Sequence, residues 1–89
     1  MKGKTQSGFN YDVNEKRLED IRFFELLNDV DENPLKLPKL VEFVLGAEQK
    51  ESLYEFLTKN DIVSVVDVNN AMVDIFNSVK EISDKAKNS

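Results

Sequence analysis

Residues Val44–Leu57 read VLGAEQKESLYEFL. An apolar face closes on Val44 and Leu45, a glycine follows, and a second amphipathic run begins at once. Gly46 ends the first helix by taking the left-handed conformation at its C-terminus. Neither half is long enough to persist as an isolated helix in water, so the two must pack on each other or on the rest of the chain. The corner carries no cysteine, histidine or phosphate-cradling loop. Its role is therefore read as structural.

Upstream, Leu40, Val41, Val44 and Leu45 share one helical face, which Phe43 widens. Pro38 fits the first residue of this second helix, because proline lacks the N–H that an opening turn would leave unused. Downstream, a third helix starts at Ala47 or Glu48 and runs to about Lys59, burying Leu53, Phe56 and Leu57 with Tyr54 beside them. Asn60-Asp61 turns the chain, Ile62-Val63 is briefly extended, and Ser64 caps a fourth helix with Asp67 three residues on. In that helix Val65, Val68, Met72, Ile75, Val79 and Ile82 repeat as a heptad seam, with Val73 and Phe76 as a second edge.

Toward the N-terminus, Phe9, Tyr11 and Val13 alternate with Asn10, Asp12 and Asn14, the period of a strand with one apolar face. Its partner is sought in residues 2–6 through a Ser7-Gly8 turn, in Ile62-Val63, or in a neighbouring molecule. Asn14 can cap a first helix running from Glu15 to about Val30. The apolar residues of that helix spread around most of its wheel, so it lies centrally or offers a face to another chain. Asp29–Pro34 is the linker to the second helix. The expected fold is mainly α: a compact bundle of about four helices with a short N-terminal β-strand or hairpin. Residues 1–8 are expected to be a flexible N-terminus, 9–82 a single helical domain and 83–89 a polar C-terminal tail.

Composition narrows the function. With 89 residues the chain makes one small domain, whose thin stability margin of about 5 kcal/mol would gain from association with a partner. Its net charge of -5 argues against nucleic acid as a partner. The absence of cysteine and histidine removes disulfides, the usual general base and the preferred zinc ligands. No apolar run is long enough for a membrane span. MKGKTQSG has no apolar core behind its lysines, so no secretory leader is expected and a cytoplasmic setting follows. Asp29, Asp31 and Asn33 match the opening ligands of a calcium loop, but Pro34 and Leu40 occupy the positions that need glycine and glutamate. Glu51 and Glu55, near Lys50 and Lys59, read as a solvated helix face. No catalytic, cofactor-binding or metal-binding residue is assigned, and no cofactor is expected.

What remains is apolar surface. Phe23 and Phe24 point about 100° apart on the first helix; either both are core, among the many apolar residues around them, or one is exposed as an aromatic anchor for a partner. The seam of the last helix poses the same choice: the other helices should cover part of it, and the rest, around Val79 and Ile82, either packs within the chain or overhangs as an interface for another chain.

The order of a Gly8-Phe9 strand, RFFELL (Arg22–Leu27), an acidic linker, LPKLVEFVLG (Leu37–Gly46), EQKESLYEFL (Glu48–Leu57) and NNAMVDIFNSV (Asn69–Val79) resembles the tail assembly chaperones of long-tailed phages and prophages of Gram-positive bacteria. The likeness spans about Ser7 to Val79 and is carried by apolar, structural positions. It implies a small non-enzymatic protein of the host cytoplasm, absent from the mature virion. Such a protein binds the tape measure protein and aids recruitment of tail tube subunits. It also implies that a longer frameshifted product can exist. Phe23, Phe24, Met72, Phe76 and Val79 are then the expected partner-binding residues, with homo-oligomerisation left open. The rival readings are a structural head–tail or tail component, and a small helical regulator such as an antitoxin.

Overall fold

The N-terminal alternation becomes a hairpin. In a computed structural model, which describes the backbone of residues 1–88 and the side chains of residues 1–78, strand β1 (Lys2–Lys4) pairs antiparallel with β2 (Asn10–Asp12). Gly3 faces Tyr11 across the pair. Of the three partners the sequence left open, the strand takes the segment through Ser7-Gly8. Phe9, Tyr11 and Val13 all turn inward and are buried. The eight residues expected to be flexible thus supply a strand and a turn. Thr5 fixes that turn: its hydroxyl accepts from the Phe9 N–H at 3.0 Å, and its own N–H donates to the Phe9 carbonyl at 2.9 Å. At Gly3 an added Cβ would lie 2.5 Å from Tyr11 Cζ, so the glycine is required by the ring that crosses it.

The first helix differs from its sequence reading. Asn14 does cap, its side chain accepting from the Lys16 N–H at 3.1 Å, but it opens only a 3₁₀ segment, Glu15–Glu19. Asp20 then takes extended angles (φ -74°, ψ 134°) and caps α1, Ile21–Glu32, by accepting from the Arg22 N–H at 2.9 Å. Two strong N-cap residues six positions apart compete, and the second wins the α-helix. Arg22 reinforces it, its guanidinium lying 2.6 Å from the Asp20 carboxylate.

Asn33 caps a 3₁₀ turn, Pro34–Lys36, that leads into α2, Leu37–Leu57. The two helices expected on either side of Gly46 are present but join with no loop between them and run together as α2, so the described residues hold three α-helices instead of about four. The break at Gly46 is one residue wide. Its φ of 82° and ψ of 163° lie in a region essentially reserved for glycine. The φ is positive as expected, while the ψ is far from that of a left-handed helical cap. Leu37, buried and helical at φ -51° and ψ -43°, starts α2 one residue before Pro38.

After α2, Asn60 and Asp61 both adopt positive φ (53° and 65°) between Lys59 and Ile62, which exchange backbone hydrogen bonds of 2.8 and 3.0 Å. Helix α3, Val65–Asn88, follows. The core gathers Val13 from the hairpin's end, Val41, Val44 and Leu53 from both halves of α2, and Met72 and Ile75 from α3. Of the heptad seam, Val68, Met72 and Ile75 are buried in the chain itself, while Val65 is exposed. The overhang expected around Val79 and Ile82 falls outside the described side chains.

Candidate protein-binding site

Phe23 and Phe24 part company as helical geometry requires. Phe23 is buried, and its ring meets Phe76 of α3 edge-on at 5.4 Å. Phe24, 5.7 Å from Phe23 and tilted 60° to it, remains 55% exposed. One turn back on the same side of α1, Ile21 is 69% exposed. Phe76 is partly buried. The result is an exposed Ile21–Phe24 edge backed by a fixed aromatic pair. Burying that edge under another chain would contribute about 2–4 kcal/mol.

The structure therefore divides the expected partner-binding set. Phe23, Phe24 and Phe76 come together, with Phe23 between the other two. Met72, 1% exposed, belongs to the core and offers nothing to a partner, a correction with a simple cause: the middle of the α3 seam packs against the rest of the same chain. The side chain of Val79 lies outside the described residues.

A second apolar surface was not assigned from the sequence. Pro34, Leu35, Leu37, Pro38, Tyr54, Val63, Val65 and Val68 line a groove of about 300 Å³. A slightly smaller depression of about 260 Å³ adjoins it, sharing Pro34, Leu37 and Val65 and adding Val30, Val66 and Asn69. Leu35 stands on the rim at 86% exposure, and Val65 and Val66 are each 66% exposed. Burial holds the Tyr54 phenol above its ordinary range, with the Glu42 carboxylate acting the same way. The signal in the sequence was Leu35, a large apolar residue in a turn between two prolines, with no helical face to join.

The remaining depressions are mixed in character, and Phe56, expected from the sequence to be buried, is half-exposed with Val73 at one of them. Gln6, Ser7, Lys59, Asp67, Asn70 and Asp74 contribute to a cleft of about 510 Å³ between hairpin and α3, bridged where the Gln6 N–H donates to Asp74 Oδ2 at 3.0 Å. Elsewhere the guanidinium groups of Arg17 and Arg22 lie 5.6 and 5.8 Å from the centre of the Phe43 ring. Among the described residues no group of three or more His, Cys, Asp or Glu side chains is placed to hold a metal ion.

Compared with protein-family models, with curated proteins and with solved structures, the chain matches none. No helix among the described residues is long and apolar enough to cross a membrane. What this geometry offers chemically is contact area that loses water on association, held by side chains that are already in place.

Proposed function

We propose that the chain is a non-enzymatic assembly chaperone of the phage tail type. It binds an apolar helical segment of a tape measure protein in the host cytoplasm, aids recruitment of tail tube subunits and is left out of the finished particle. The observation that carries this reading is Phe24. It is a half-exposed aromatic residue whose neighbour Phe23 is locked against Phe76, so little side-chain freedom is lost when a partner covers it. Net negative charge supports the role by keeping a protein with exposed apolar edges in solution. The sequence resemblance, spread over apolar positions, names the class of client; the exposed edge supplies a physical means of holding it.

Co-expression with the tape measure protein tests the proposal. Wild-type chain is expected to co-purify with it, and Phe24→Asp to lose it while remaining folded, with a thermal midpoint lowered by no more than about 8 °C. Retained capture by Phe24→Asp removes the assigned edge. Mass spectrometry of purified virions addresses the rival structural role: the chaperone reading requires the chain to be missing from them.

A further inference from the structure

The groove between the Pro34–Lys36 turn and the start of α3 shares no residue with the Ile21–Phe24 edge and plays no part in the client-binding reading. We propose that it is a self-association surface, on which a second copy of this chain docks about a two-fold axis.

Three observations lead there. First, none of the residues lining the groove or its adjoining depression carries a formal charge, although 33% of the chain is charged. A lining without charge is suited to being covered, because charged residues are depleted at the centre of protein interfaces. Second, the face holds both halves of a joint. Leu35 projects from the rim at 86% exposure beside a depression of about 300 Å³, large enough to admit a leucine side chain. A two-fold interface requires one patch to complement itself, so that each copy both inserts and receives. Third, the charges around the connector are arranged as a mirrored pair. Asp31 and Glu32 precede it, and Lys36 and Lys39 follow it. Two connectors laid antiparallel bring the acidic flank of each toward the basic flank of the other, so the contact is locally neutral despite the net charge of -5 per chain.

The apolar area available is smaller than the roughly 800 Å² per partner of a standard stable interface, so the dimer is expected to be weak, with a Kd on the order of 10–100 µM. Sedimentation equilibrium of the full chain without any client, over a concentration series spanning that range, reads it directly. The wild type is expected to move from monomer to dimer. Leu35→Asp, and independently Val66→Lys, should weaken the dimer at least about tenfold while far-UV circular dichroism stays unchanged, since both side chains are largely exposed. Glu32→Lys and Lys39→Glu should each weaken self-association, and an equimolar mixture of the two should recover part of it as a heterodimer. A wild type that remains monomeric through the series overturns the proposal, as does a Leu35→Asp chain that dimerises normally or growth into open-ended polymers. So does a monomeric wild type whose Leu35→Asp variant loses capture of a client helix, because the groove's occupant is then foreign. The readout needs no client, so this surface and the Phe24 edge fail or stand separately.

Discussion

Gln49 holds both backbone groups of Asp12. Its Oε1 accepts from the Asp12 N–H at 2.7 Å, and its Nε2 donates to the Asp12 carbonyl at 2.7 Å. A single side-chain amide thus takes the place of a neighbouring strand along the outer edge of β2. The second N–H of the same amide donates to the Leu45 carbonyl at 2.8 Å, just before the break at Gly46. The hairpin and the corner of α2 are therefore fastened by one residue.

Gln49→Ala should lower unfolding stability by about 1–2 kcal/mol, the net cost of losing two exposed hydrogen bonds to Asp12 and one part-buried bond to Leu45. Gln49→Glu should cost more than alanine, because a carboxylate would face two carbonyl oxygens with no proton to give. Urea denaturation of the three proteins checks the order; a glutamate variant as stable as wild type would show that the amide protons do not matter.

Gly46→Ala isolates backbone strain. A Cβ at this position meets nothing within 4 Å, so crowding is removed as an explanation. The φ of 82° with ψ of 163° still excludes alanine, and the expected loss is about 1–3 kcal/mol. If the variant instead straightens α2, its helical signal in circular dichroism rises and the hairpin loses its Gln49 contact. An unchanged midpoint with an unchanged spectrum would contradict the corner as described.

The Lys59–Ile62 turn offers a gain. Two successive positive-φ residues with reciprocal hydrogen bonds define the tight hairpin turn that prefers Asn-Gly. Asn60 already suits the first position, while Asp61 at φ 65° does not suit the second as well as glycine. Asp61→Gly should stabilise by about 0.5 kcal/mol, a rise of roughly 2–4 °C in thermal midpoint for a domain of this size.

Asp20 links α1 to pH. Hydrogen bonds from the Arg22 side chain and then from its N–H draw the carboxyl down from 3.8 to about 2. A carboxyl depressed on folding contributes stability that is complete above its unfolded value and disappears as pH falls through its folded one. The window is therefore about pH 4 to 2. Asp20→Asn keeps a capping oxygen and loses the charge. The difference in thermal midpoint between wild type and Asp20→Asn should be flat above about pH 5 and shrink on acidification through that window. A difference that stays constant down to pH 2 would remove Arg22 as its cause.

How much of this was legible depended on whether the deciding interaction was local. The alternation of Phe9, Tyr11 and Val13 specified a one-sided strand, and Ser7-Gly8 lay near enough to supply its partner. Asn60-Asp61 and Gly46 likewise carry their backbone demands in their own identities. Two competing caps, Asn14 and Asp20, were harder: both are good N-cap residues, and the choice rests partly on a clamp from Arg22. The seam of α3 could not be divided from sequence alone. Met72 and Val65 occupy equivalent heptad positions, yet only Met72 lies beneath the rest of the chain. Leu35 was passed over because a residue in a turn has no periodicity to read; its meaning comes from Val63 and Val65, some thirty positions away.

That division of the expected binding residues has an energetic signature. Met72, 1% exposed, is core, and Met72→Ala should cost about 2–5 kcal/mol through the cavity it leaves. Phe24, 55% exposed, should tolerate Phe24→Ser for about 1 kcal/mol or less, chiefly the lost edge contact with Phe23. Chemical denaturation of both variants gives the comparison, and equal losses would mean that Phe24 is packed like a core residue. Because the Phe24 edge retains its fold when cut back, loss of client capture by Phe24→Ser reports on binding, whereas the same loss by Met72→Ala reports only on unfolding.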